Sequence, residues 1–180
     1  MIKYALPFTL LPLLASCAAP GAPPLVAAPA PPTTPHPTSG PAAMVDRYAG
    51  DWSIDELTPG EWRISRSGGV SRVTFADGRG AVQAVIACGN SAISLGRSGA
   101  APADAAVSMR IRNSFALREL SVRVDHAARL IYTSLDARDP LWDQISYSRG
   151  RFLIEASAQP PLILPVRPEI ARVIEDCRGQ

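Results

Sequence analysis

The chain has 180 residues, 47% of them hydrophobic, and a formal net charge of +2 from 18 Lys and Arg against 16 Asp and Glu. This near-neutral balance argues against the clustered basic surface of a nucleic-acid-binding protein and against a polybasic membrane patch. We therefore expect no nucleic-acid partner.

The first 16 residues predict an export signal. Lys3 precedes a mostly apolar run from Ala5 to Leu14, and small residues then stand directly before Cys17. A positive start, an apolar stretch of about 7–15 residues and small residues at the cut site characterise a secretory signal. The run is too short to span a bilayer, which needs about 20 residues.

The sequence Leu14-Ala15-Ser16-Cys17 resembles the lipobox of bacterial lipoproteins. The resemblance implies cleavage before Cys17, which is acylated and becomes the new N-terminus. Because Ala18 and not an aspartate follows, it also implies a cell-envelope protein that is lipid-anchored in the outer membrane and faces the periplasm. The alternative is an ordinary secretory signal that is cut near Ala18-Ala19.

Residues 17–43 predict an extended tether. Nine prolines lie among the 26 residues from Ala18 to Ala43. Proline lacks the amide hydrogen and fixes φ, so this stretch favours neither a helix nor a central strand. At about 3.1 Å per residue, it reaches on the order of 80 Å at full extension. A recognition segment that docks in an aromatic groove is the alternative.

Residues 44–180 predict one β-rich globular domain. Short stretches with apolar and polar alternation, separated by turn signals, favour an antiparallel sandwich or a barrel-like sheet. Ala81–Cys88 is almost continuously apolar, which predicts a central strand buried on both faces. Ala116–Val124 predicts one strand, and Val107–Arg112 predicts another whose arginines share a face. We interpret that face as solvated, with a binding site as the alternative.

Two helices are predicted after these strands, with one more strand, Arg151–Ala156, between them. Asp139 and Pro140 fit the N-cap and first turn of a short helix near residues 140–146. A C-terminal amphipathic helix is predicted from about Pro168 to Cys177, because its apolar residues recur at spacings of three, four and seven. We expect this helix to close one end of the β core.

After Cys17, the chain contains only two cysteines, Cys88 and Cys177. An even pair in an exported protein predicts a disulfide, here between the most apolar strand and the last helix. Two buried free thiols are the alternative. With His126 as the only other soft ligand in the domain, the usual four ligands of a zinc site are missing, so we predict no metal and no cofactor.

Catalytic motifs are not found in the sequence. Lys3 is the only lysine, so the chain after the signal lacks a Ser-Lys dyad, a Schiff-base lysine and a P-loop. His126 follows Asp125 and is predicted to be a turn residue, with a catalytic base as the alternative. Trp52 and Trp62 each follow an acidic residue; we predict that they lie in the core, and a carbohydrate-stacking surface is the alternative.

Arg149 and Arg151, on either side of Gly150, are the candidate residues for ligand binding. Two guanidinium groups beside a glycine suit an anion-binding turn. The same residues also fit the C-terminal cap of the preceding helix.

From Asp139 to Arg178, the sequence is similar to a group of small uncharacterised alphaproteobacterial envelope proteins. The similarity is carried by the residues 148–152, 162–165 and 168–178, and it implies no activity. Together, these features predict a non-enzymatic, tethered binding or assembly module with an envelope protein or a cell-wall glycan as its partner. An envelope hydrolase and an inhibitor of a cell-wall-degrading enzyme are the alternatives.

Overall fold

The structure, a computed structural model, describes residues 51–101, 106–157 and 159–179. The predicted signal peptide, Cys17 and the tether lie outside the described residues, as do residues 44–50 of the predicted domain. The described residues belong to one compact unit. They form two antiparallel sheets and two helices, which confirms the predicted mainly β fold and is consistent with a sandwich.

The elements follow one another along the chain after a short 3-10 turn at Trp52–Ile54. They are β1 (Glu61–Ser67), β2 (Val70–Ala76), β3 (Val82–Gly89), β4 (Ala92–Ser98), β5 (Ser108–Arg112), β6 (Leu117–Ser121), β7 (Arg123–Asp125), β8 (Leu130–Asp136), α1 (Pro140–Ser146), β9 (Arg151–Ala156), β10 (Leu162–Pro165) and α2 (Pro168–Arg178).

The large sheet has the strand order β1-β2-β3-β4-β8-β7, and the small sheet has the order β10-β9-β5-β6. A tight turn joins β1 to β2, where Gly68 and Gly69 both adopt positive φ, at 57° and 77°. Glycine is favoured there because it has no Cβ to clash with the backbone. Trp62 lies opposite Phe75 in the resulting register, so the large side chains of neighbouring strands share one face.

The core lies between the two sheets, and Trp62 connects them. Its ring centroid is 5.2 Å from that of Phe75 in the large sheet and 6.4 Å from that of Phe152 in the small sheet. Its indole Nε1 also donates a 2.8 Å hydrogen bond to the Pro165 carbonyl oxygen of β10. This satisfies the one polar group that the indole buries.

Helix α1 forms as its sequence predicts. Pro140 lies in its first turn, and the Asp139 carboxylate accepts a 2.9 Å hydrogen bond from the Leu141 amide as the N-cap. The buried face of α1 consists of Leu141, Trp142 and Ile145.

Helix α2 packs against the large sheet and closes the core. Its buried residues are Ile170, Val173, Ile174 and Cys177. A disulfide joins Cys177 to Cys88 of β3, with the two Cα atoms 5.4 Å apart. The structure thus brings together the cysteine pair predicted from the sequence, and the bond links α2 to the centre of the sheet.

Three local predictions were wrong. Strand β3 is not buried on both faces: Ala84, Ile86 and Cys88 are buried, but Val85 lies on the open face and is only half-buried. Residues Ala116–Val124 do not form one strand, because the chain bends between β6 and β7 and passes from the small sheet to the large sheet.

The third wrong prediction concerns the arginine face of β5. It is not solvated as a whole, because Arg110 is only 9% exposed. The small sheet is covered on both of its faces at this position, which an alternating strand sequence does not reveal.

Candidate binding surface

Three large apolar side chains are exposed near the turn between β5 and β6 and the end of α1. Phe115 is 61% exposed, Leu117 49% and Tyr147 74%. Together with Arg149 and Arg151, we call these residues the aromatic–arginine surface. Isolated apolar side chains are common on protein surfaces, and contiguous apolar patches are typical of interaction sites.

Asn113 shapes the turn that carries Phe115. Its side-chain Oδ1 accepts hydrogen bonds from the amides of Phe115, at 2.8 Å, and Ala116, at 3.0 Å. The Asn113 amide also donates to the Ala116 carbonyl oxygen at 3.0 Å. The Asn113 side chain thus accepts the hydrogen bonds of two amides in the turn. Because these bonds order the turn, Phe115 has a defined backbone position.

Two serines join this turn to the segment after α1. The buried Ser148 Oγ accepts a 3.0 Å hydrogen bond from the Ser114 amide and lies 3.0 Å from Ser114 Oγ. The Arg149 amide donates to Ser114 Oγ at 2.7 Å. The hydrogen bonds fix the positions of the backbones that carry Phe115, Tyr147 and Arg149 relative to one another before any partner binds.

Arg149 and Arg151 have different surroundings. Arg149 is exposed, and Arg151 is partly buried with its Nη1 donating a 2.6 Å hydrogen bond to the Asp55 carbonyl oxygen. Neither guanidinium forms an ion pair with a described residue. Their charges therefore remain available to an anionic group of a partner.

The interpretation of Gly150 as the cap of α1 is wrong. The helix ends at Ser146, and Tyr147 is its C-cap. Gly150 lies further along, with φ at 78°, in the turn that leads into β9. An anion-binding turn at Arg149 and Arg151 stays a prediction.

A salt bridge with no signal in the sequence joins β6, the strand that carries Leu117, to the start of α1. The Arg118 guanidinium of β6 donates to both carboxylate oxygens of Asp139, which is also the N-cap of α1. These hydrogen bonds hold the pKa of Asp139 below its usual value. Since the partners lie 21 residues apart in the sequence, only the tertiary fold brings them together.

The other candidates from the sequence lie elsewhere. Trp62 is a core residue, so it is not available for sugar stacking, and Trp52 is half-buried in the 3-10 turn. His126 is exposed in the turn between β7 and β8, where the Asp125 carboxylate accepts a 2.8 Å hydrogen bond from the Ala128 amide. Asp125 thus stabilises the turn and makes no hydrogen bond to His126.

Comparisons with protein-family models, with curated proteins and with solved structures find no match. Within the described ranges, no helix is both long enough and apolar enough to cross a membrane. The same residues contain no group of three or more His, Cys, Asp and Glu side chains that could hold one metal ion.

Proposed function

We propose that this chain is a lipid-anchored protein of the bacterial cell envelope that acts as a non-enzymatic binding or assembly module. Its anchor is Cys17, its arm is the proline-rich tether, and its place is the outer membrane, facing the periplasm. The aromatic–arginine surface is the part of the domain that contacts its partner, an envelope protein or a cell-wall glycan.

The observation that carries this proposal is the exposure of Phe115 and Tyr147 on either side of a hydrogen-bonded junction. Aromatic residues and arginine are enriched in interface cores, where they contribute most of the binding free energy. A preorganised surface also loses less conformational entropy when it binds. The Ser114–Ser148 junction supplies that preorganisation, since it orders both aromatic segments in the unbound protein.

The chemistry of the surface suits both partner classes. An aromatic ring stacks on the apolar face of a sugar or on an apolar side chain of a protein. The Arg149 guanidinium forms paired hydrogen bonds with a carboxylate, which acidic proteins and acidic sugars both carry. A tether of about 80 Å lets the surface reach a partner well away from the bilayer.

The test is crosslinking in intact cells with the tagged full-length chain. We compare the native protein with a Phe115→Ser, Tyr147→Ser double variant and with a Val82→Ser control. Val82 is an exposed apolar residue of β3, 43% accessible, outside the aromatic–arginine surface. One envelope protein or glycan should be recovered with the native chain and the control, and at least about tenfold less with the double variant.

Recovery of the same partner by all three proteins would contradict the assignment of the surface. Recovery of nothing beyond abundant neighbours would contradict the binding module itself. Near-ultraviolet circular dichroism of the double variant establishes that its fold is intact.

The anchor is tested separately by metabolic labelling with palmitate. The native chain should incorporate the label, and a Cys17→Ser variant should not. An unlabelled native chain would support the ordinary secretory signal instead.

A further inference from the structure

A cleft forms where the chain passes from the small sheet to the large sheet. Strand β6 ends at Ser121, β7 begins at Arg123, and only Val122 lies between them. Strand β7 pairs with β8 only as far as Tyr132, although β8 continues to Asp136. From Thr133 to Asp136, β8 therefore pairs with no described strand on the side of β7.

A cavity of about 330 Å³ occupies this place. We call it the β6–β7 cleft, and it is lined by Ser121, Val122, Arg123, Tyr132, Thr133 and Ser134. Ligand pockets typically have volumes of about 300–1,000 Å³, so this one suits a small ligand. Its lining thus combines small serine, threonine and valine residues with one tyrosine and one arginine.

The main chain of Ser134 faces the β6–β7 cleft. Alternate residues of a strand direct their main-chain groups to the same side. Here the Ala137 amide turns towards β4, where it donates to the Ser91 carbonyl oxygen at 3.1 Å. The Asp136 carbonyl oxygen turns the other way and accepts from the Trp142 indole at 2.9 Å. Ser134, two residues before Asp136, therefore presents its N–H and C=O to the cleft.

Of the described residues that line the cleft, Arg123 alone is charged, and it forms no ion pair with any of the residues that the structure describes. Three carboxylates on the strands around the cleft form no ion pair with Arg123. Glu119 lies 4.0 Å from Arg110, Asp125 accepts from the Ala128 amide, and Asp136 accepts from the Arg138 amide at 2.7 Å. The positive charge of Arg123 thus favours an anionic ligand.

We propose that the β6–β7 cleft binds the carboxylate end of an acylated amino acid, the group that ends a peptide chain. Arg123 pairs with the terminal carboxylate, and Ser134 exchanges main-chain hydrogen bonds with the adjacent amide. The Tyr132 ring packs against the ligand's side chain. Two sources share this chemistry: the C-terminus of a protein and a cell-wall peptide that ends in a D-amino acid. The cleft shares no residue with the aromatic–arginine surface, so either proposal can fail alone.

The experiment is an NMR titration of the full chain in mild detergent with N-acetyl-Ala-Ala in its L,L and D,D forms and with the corresponding C-terminal amides. We expect saturable shifts at the Ser134 and Arg123 amides with the acids. Affinity should fall at least about tenfold with the amides and in Arg123→Gln. It should be unchanged in Arg79→Gln, which alters an exposed arginine in the turn between β2 and β3.

A preference for the D,D acid would support the proposal with a cell-wall peptide as the source, and a preference for the L,L acid with a protein terminus. Equal binding of acids and amides would overturn it, as would shifts that leave Ser134 unaffected or persist in Arg123→Gln. Arg123 is exposed, so its variant should fold, and thermal unfolding verifies this.

Discussion

The two sheets bury their residues in different ways. In the large sheet, β2 buries Ser71, Val73 and Phe75, while Arg72 between them is exposed. In the small sheet, β9 buries five of its six residues, so residues that point to opposite faces are both covered. In the large sheet, the alternation of apolar and polar residues therefore shows which side chains face the core and which face solvent. In the small sheet, the same alternation does not show that the polar side chains face solvent.

The difference is clearest for charged residues. In the register of the small sheet, Arg110 lies opposite Glu119 on one side and Glu155 on the other. Arg110 and Glu155 are 9% and 6% exposed, whereas Arg63 and Glu61 of the large sheet are about four-fifths exposed. Arg110 and Glu155 thus lie side by side away from solvent, which screens them little, whereas Glu119 at the end of the row is 59% exposed.

The largest difference in stability between variants of the two sheets should come from the replacement of one leucine in each. Leu153 of the small sheet is fully buried on the face away from the core, whereas Leu130 on the open face of the large sheet is only half-buried. Leu153→Ala should lower the free energy of unfolding by about 4 kcal/mol, and Leu130→Ala by about 1 kcal/mol. Urea unfolding measures both; equal losses would show that the two outer faces are equivalent.

A charge variant in each sheet sharpens the comparison. Arg110→Met should cost about 3 kcal/mol, because it leaves the buried Glu155 without the cation opposite it. Arg63→Met removes only an exposed pair at 3.9 Å and should cost less than about 0.5 kcal/mol. The measurement is the urea midpoint at neutral pH. If Arg110→Met were as stable as Arg63→Met, the row would not contribute to stability.

Removal of the disulfide should affect the two sheets differently, because Cys88 lies in the large sheet. The double variant Cys88→Ala, Cys177→Ala should lose about 2–3 kcal/mol, and hydrogen exchange should accelerate in α2 and β3. The amides of β9 should accelerate less than those of α2 under native conditions, since the bond joins α2 to the large sheet only. Equal acceleration in β9 and α2 would mean that the two layers open as one unit.

The smallest effects should come from acid titration of two surface ion pairs. Asp139 binds Arg118 of the small sheet, and Asp176 binds Arg66 of the large sheet, so the pKa of each carboxyl is lowered. A carboxyl whose pKa is lower in the folded than in the unfolded state stabilises the protein at pH values above the ordinary carboxyl pKa of about 4. This stabilisation is lost as the pH falls through the pKa of the folded state.

Asp139→Asn should therefore lose less stability than the native chain between pH 5 and pH 2, by under about 1 kcal/mol. Asp176→Asn should differ less from the native chain, because the Arg66–Asp176 pair is more exposed. Denaturant midpoints at the two pH values measure both variants. A larger effect in Asp176→Asn would contradict this order.

Much of the fold was predictable because local signals and burial agree in the large sheet. The Gly68-Gly69 turn, the alternation in β1 and β2, and the Asp139-Pro140 helix start all have a local physical cause. Strand β6 was harder, since the bend at Val122 has no glycine or proline to signal it. Apolar and polar residues continue to alternate across Val122, so the sequences of β6 and β7 together have the pattern of a single strand.

Less of the candidate surface was predictable. Arg149 and Arg151 were identified from their flanking glycine, but Phe115 and Tyr147 carry no local signal of exposure. Their proximity depends on the Ser114–Ser148 hydrogen bonds, which span 34 residues.

The burial of Arg97 was not predictable from the sequence either. Its guanidinium donates to the Ser98 and Pro160 carbonyl oxygens, and burial lowers its pKa to about 10.

The edges of the two sheets affect whether copies of the protein associate when many of them are close together. At one margin β6 runs directly into β7, and at the other the Thr58 amide donates to the Ile163 carbonyl oxygen of β10 at 2.8 Å. Strand β10 is four residues long and ends in Pro165, which lacks an amide donor. Short, occupied or proline-bearing edges resist strand addition by other copies. Many such domains crowded on one surface would therefore not add strands to one another through β10.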